Sequence, residues 1–169
     1  MSSACPPRQG EQARMALKSS IHKLAQLDGP EQQKQQILKD LGDLDQYEVL
    51  DEMVLIAVYA ESNVVSRVKD PTGRIVELVG TDNQTAESRF QGKVGLLVKM
   101  GPTAFKYHKN GQPYEGTKPD AGDWVVMNSP HDGREIGMRD INSTGEWVLC
   151  RRVPWDLITM RVPDPRVVR

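Results

Sequence analysis

The sequence predicts a mainly β protein with an N-terminal α-helical hairpin, and two observations predict it. Over residues 10 to 42 the apolar residues recur at helical spacings, whereas beyond residue 42 valine is frequent and Gly, Pro, Asn and Asp interrupt the chain at short intervals. The length of 169 residues sets the scale: one ordinary domain, or a small domain with an arm, buries a core of this size without disulfides.

Residues 1 to 9 are polar and hold Pro6 and Pro7, a composition that cannot offset the entropy of ordering by itself; they are expected to form an arm or a disordered end. From Gly10 to Leu27, Ala13, Leu17, Ile21 and Leu24 stack on one helical face. The "DGP" at 28 to 30 breaks this helix. Pro30 suits the first turn of a second helix that carries Ile37, Leu38 and Leu41 and closes at Gly42.

Strands are expected at "YEVL" (47 to 50), "MVLIAVY" (53 to 59), "KVGLLVKM" (93 to 100), "DWVVMN" (123 to 128), "EIGMR" (135 to 139), "EWVLCRR" (146 to 152) and "LITMRV" (157 to 162). Within "VVSRVKDPTGRIVELVG" (64 to 80), Asp70, Pro71 and Gly73 fit a type I turn between two β-branched arms, which predicts a hairpin. Asn110-Gly111 and Asp132-Gly133 mark further tight turns. Many short, regularly spaced strands suggest a small barrel or sandwich over residues 43 to 162. The end, residues 163 to 169 of "RVPDPRVVR", has prolines that forbid a central strand, so it reads as a tail lying on something through Val167 and Val168.

The composition narrows the function. A net charge of -1 with both signs interspersed offers no field to gather nucleic acid or coat an anionic membrane, so the expected partners are proteins. No stretch approaches the ~20 apolar residues of a membrane span, and the N-terminus lacks the apolar segment of a secretory signal; a soluble, unprocessed chain is expected. Cys5 and Cys150 are the two cysteines, too few for a disulfide framework, which points to a reducing cytoplasm. Trp124, Trp147 and Trp155 place the best-packed core in the last third.

Motifs for catalysis are missing. His22, His108 and His131 have no Cys, His or carboxylate at ligand spacing, so no metal is expected. Cys150 alternates with Val148 and Arg152 on a strand, as a buried thiol without a base does. Asp43 with Asp45, and Asp51 with Glu52, adjoin turns and read as solvated carboxylates. "GKVGLLVKMG" lacks the spacing and the closing Lys-Ser/Thr of a phosphate loop. A helix-turn-helix reader is disfavoured, because Glu31 and Asp40 counter Lys34 and Lys39 on "EQQKQQILKD". The expectation is a non-enzymatic protein without cofactor.

Four segments in order, "DEMVLIAVY", "GKVGLLVKMGPTAF", "KPDAGDWVVMN" and "EWVLCRRVPWDLITMRV", carry a resemblance. Together they resemble the GroES-like co-chaperonin family, especially its divergent bacteriophage versions. Gly122-Asp123 stand where the family has a turn before an apolar strand, and Asp156, Leu157 and Ile158 at its closing motif. The resemblance implies a small, partly open β-barrel whose edge strands pair between subunits of a ring, hence a homo-oligomer. It also implies a mobile loop near residues 62 to 90 with an apolar tripeptide that grips a chaperonin. Here "RIVEL" is the nearest match, and Val68, Ile75, Val76 and Leu78 are the candidate partner contacts, although Glu77 interrupts the tripeptide.

The family has no counterpart of residues 1 to 42. That leader, the tail and the interrupted tripeptide favour a virion structural protein that decorates, cements or assembles a phage capsid, in the virion and assembled in the host cytoplasm. Leu17, Ile21, Leu24, Val167 and Val168 would then be arm contacts with capsid or other virion proteins. The alternative is a phage co-chaperonin forming a ring-shaped lid on the host chaperonin to fold a capsid protein. An all-β adaptor with no viral connection is the third reading.

Overall fold

The computed structural model describes residues 16–17, 20–21, 23–27, 29–60, 64–69, 75–79, 93–128, 133–140, 142 and 146–168. The fold is mainly β. Among the described residues eight strands follow one another: β1 Met53–Val58, β2 Val64–Lys69, β3 Ile75–Val79, β4 Val94–Met100, β5 Trp124–Met127, β6 Arg134–Met138, β7 Val148–Pro154 and β8 Ile158–Val162. Six of them form an antiparallel sheet in the order β6-β7-β1-β4-β5-β8. Its end strands, β6 and β8, do not pair with each other among the described residues, so the sheet is open rather than closed into a barrel.

The inner strands β1, β4 and β5 are apolar on both sides. On β1, Leu55 and Ala57 join one core with Leu96, Val98, Trp124, Val148 and Cys150, while Val54 and Ile56 join a second with Leu97, Val125, Met127 and Val153. This two-sided burial explains why "MVLIAV" and "VGLLV" are continuous apolar runs instead of alternating ones. At Gly95, opposite Val58, a Cβ would collide with Ile56 Cγ2 and lie 2.7 Å from the Ala57 carbonyl oxygen. Only glycine lets β4 approach β1 so closely.

The helix α1, Pro30–Leu41, covers the first core through Ile37 and Leu41, both fully buried. Pro30 occupies its first turn, and Gly42 ends it at φ +64°, where a Cβ would collide with Asp140. Residues 16–17, 20–21 and 23–25 before it are helical, and Ile21, Leu24 and Ala25 are buried in the same core. The second core is closed by residues 101–119, which contribute Ala104, Phe105 and Tyr114, and by Trp155 of the 3-10 turn Trp155–Leu157.

"YEVL" does not form a strand. The Tyr47 backbone is extended, but its N–H donates to the Leu44 carbonyl and the Met53 N–H to Leu50, so turns take up both ends. Around Asn110-Gly111 the chain folds back in a short turn with one bridge, Tyr107 to Pro113, and not in a full hairpin. The tail winds into a 3-10 turn, Pro165–Val167, capped by Asp164, whose carboxylate accepts from the Arg166 N–H at 2.9 Å. Asp70, Pro71, Gly73 and Asp132, and residues 1–15, lie outside the described residues.

Candidate functional site: the hairpin and its root

The chain between β1 and β4 holds the four candidate partner contacts. Its two strands pair antiparallel, with Val64 opposite Val79, Ser66 opposite Leu78, Arg67 opposite Glu77, Val68 opposite Val76 and Lys69 opposite Ile75. Among the described residues they form a two-stranded sheet of their own, separate from the six-stranded one. Opposed positions share a face and the period along a strand is two. Positions 66, 68, 76 and 78 therefore lie on one face of the ribbon, and 67, 69, 75 and 77 on the other. Val68, Val76 and Leu78 are brought together; Ile75 is placed with Arg67, Lys69 and Glu77. The glutamate that breaks "RIVEL" in the linear sequence alternates out of the apolar row once the segment is a strand.

The root of this hairpin is built from buried groups. The Tyr59 N–H donates to the Val94 carbonyl at 3.2 Å, and the Tyr59 ring meets Trp124 edge-on with centroids 5.4 Å apart. One residue later, the Gln33 side-chain amide donates to the Ala60 carbonyl at 2.7 Å and its oxygen accepts from the Ala60 N–H at 3.2 Å. Gln33 and Ala60 are each 1% exposed. Sequence reasoning passed over Gln33, although a signal was present: Gln33, Ile37 and Leu41 recur every fourth residue, which puts one amide in an otherwise apolar stripe.

The arm candidates have different surroundings. Ile21 and Leu24 are buried in the core of their own chain, and Leu17 is half-buried beside β6, 3.2 Å from where a Cβ on Gly137 would lie. Val168 packs against the same core, whereas Val167 is 67% exposed. Leu50, Tyr107 and Met160 are the other large exposed apolar side chains among the described residues.

Reactive chemistry has little material. Burial pushes the Cys150 thiol up to about 12, which keeps it protonated and non-nucleophilic at neutral pH. No group of three His, Cys, Asp or Glu side chains could hold a metal ion among the described residues. His108 packs beside Tyr114 and Trp155, at 5.4 and 5.9 Å, and helps line an open groove with Lys109, Asn110, Gln112 and Asp156. The Lys109–Asp156 ion pair occupies its charged side chains. Asp43 caps a turn by accepting from the Asp45 N–H. Burial would raise the Asp123 carboxyl, but the Asp120 N–H, Arg161 and Lys34 outweigh it and hold it below the ordinary range. Arg151, 2% exposed, meets Glu135 at 3.1 Å across β6 and β7. These carboxylates have structural work.

No helix among the described residues is long and apolar enough to cross a membrane. No family model matches the chain, and a comparison with curated proteins finds no match.

Proposed function

We propose that this chain is a non-enzymatic structural protein of a bacteriophage particle, a GroES-like, partly open barrel with an N-terminal helical hairpin that decorates or cements the capsid. The observation that carries the docking part of this reading is the register of β2 and β3. It gathers Val68, Val76 and Leu78 on one face of a ribbon outside the main sheet, an amphipathic element suited to a partner's apolar surface. Phage and capsid come from the sequence resemblance and from the leader. A paired ribbon favours a fixed arm over a floppy loop, since docking then costs less ordering entropy.

The second reading, a co-chaperonin lid on a host chaperonin, is favoured by position: the hairpin occupies the connection between β1 and β4, where that family keeps its gripping loop. One pair of measurements separates the two. Purified particles should contain the protein in fixed ratio to the shell protein, and Val76→Ser with Leu78→Ser should abolish its incorporation. Nucleotide-dependent capture by chaperonin, lost in the same variant, with the protein missing from particles, would overturn the decoration reading.

A further inference from the structure

The sheet ladder ends where the chain leaves it for the hairpin. Val58 still pairs with Gly95, and Tyr59 still donates to Val94. Among the described residues no strand pairs with Ala60 to take its buried N–H and C=O, and an unmet buried pair of this kind is costly. The Gln33 carboxamide meets both groups, in the two-bond exchange that a residue of an antiparallel neighbour would make. This amide comes from α1, 27 residues earlier and ahead of the first strand. Ile37 and Leu41, on the same stripe, fix α1 to the sheet.

We infer that Gln33 is a positioning residue for the hairpin: it acts as a one-residue strand that fixes the exit direction at Ala60, so the leader sets where the docking face points. Only its link to docking rests on the function proposed above. The geometric claim has its own test, made on the full chain without any partner.

Nitroxide labels at Glu77→Cys and Thr159→Cys, in a Cys5→Ser background, report the distance between the hairpin and β8 by pulsed electron spin resonance; buried Cys150 stays unlabelled. The unaltered root should give one narrow distance distribution. Gln33→Met keeps length and helix preference but removes both hydrogen bonds, and should broaden the distribution about twofold while near-ultraviolet circular dichroism stays native. A second variant separates hydrogen bonding from packing. In Gln33→Glu a protonated carboxyl can reproduce both bonds, whereas a carboxylate repels the Ala60 carbonyl, and burial raises the pKa of the new group. Its distribution should be broad at about pH 8 and narrow at about pH 5. A broad distribution with Gln33 in place, an unchanged one in Gln33→Met, or no pH response in a folded Gln33→Glu overturns the inference. A hairpin that is fixed by Gln33 yet enters no particle would defeat the docking function and leave the positioning role standing.

Discussion

The two faces of the six-stranded sheet are sealed by different means. One is covered by helix, with Ile37 and Leu41 of α1 beside Ile21, Leu24 and Ala25. The other is covered by the β4–β5 connection, which has almost no regular structure, and by the turn between β7 and β8, and this cover relies on rings: Phe105 and Tyr114 of the first and Trp155 of the second meet with centroids 5.0 to 5.8 Å apart. Three aromatic residues do for one face what two helical segments do for the other, because each ring buries far more area than an aliphatic side chain. The difference matters for function. The aromatic cover comes from the sheet's own connections, whereas the helical cover precedes the sheet in the chain and also reaches the hairpin root through Gln33.

Removing the aromatic keystone should have the largest effect. Trp155→Ala is expected to lower stability by about 3–5 kcal/mol in urea denaturation, since it strips the contacts to Phe105, Tyr114 and His108 at once. Ile37→Ala should cost about 3 kcal/mol on the helical side. Combining the two should give the sum within about 0.5 kcal/mol, because the sheet separates them; strong coupling would show that the faces behave as one core.

Gly42→Ala should cost about 1–2 kcal/mol, from the left-handed backbone and the Asp140 contact, and a loss no larger than that of an exposed helix-end substitution would contradict the cap. The smallest effect is a pH slope. Cys150 is raised from 9.0 to about 12 in the folded chain, so the unfolded chain loses its proton first. Its contribution is full below about pH 9 and declines as pH rises toward the folded value, by about 1 kcal/mol at pH 10. Cys150→Val should remove that decline relative to the unaltered chain, which denaturation at pH 8 and pH 10 measures.

Much of this fold was legible because local chemistry and tertiary packing agree. "MVLIAVY", "KVGLLVKM" and "DWVVMN" have the apolar content of buried strands and become β1, β4 and β5, and "LITMRV" becomes the largely exposed end strand β8; Pro30 and Gly42 bound a helix as their backbone preferences require. The hairpin arms were legible for the same reason. "YEVL" misled because β propensity counts only where a neighbouring strand is available. Sheet order was hidden, since nothing local tells β1 that its neighbours are β4 and β7. Within the candidate site, the four candidate contacts were visible as apolar residues, but their division between two faces depends on the register. Gln33 was concealed by type: a glutamine on a helix reads as solvated until its partner, far along the chain, is known.

The central place of β1 has a consequence for how the chain is made. The first strand of the sheet pairs with β7, Met53 opposite Pro154, so one of its edges waits for a partner about a hundred residues downstream. During synthesis this apolar strand is finished long before that partner leaves the ribosome, and until then it remains open to association with other chains. A late-closing edge is therefore written into the strand order, and a chain cut short before Val148 would keep β1 as an exposed edge.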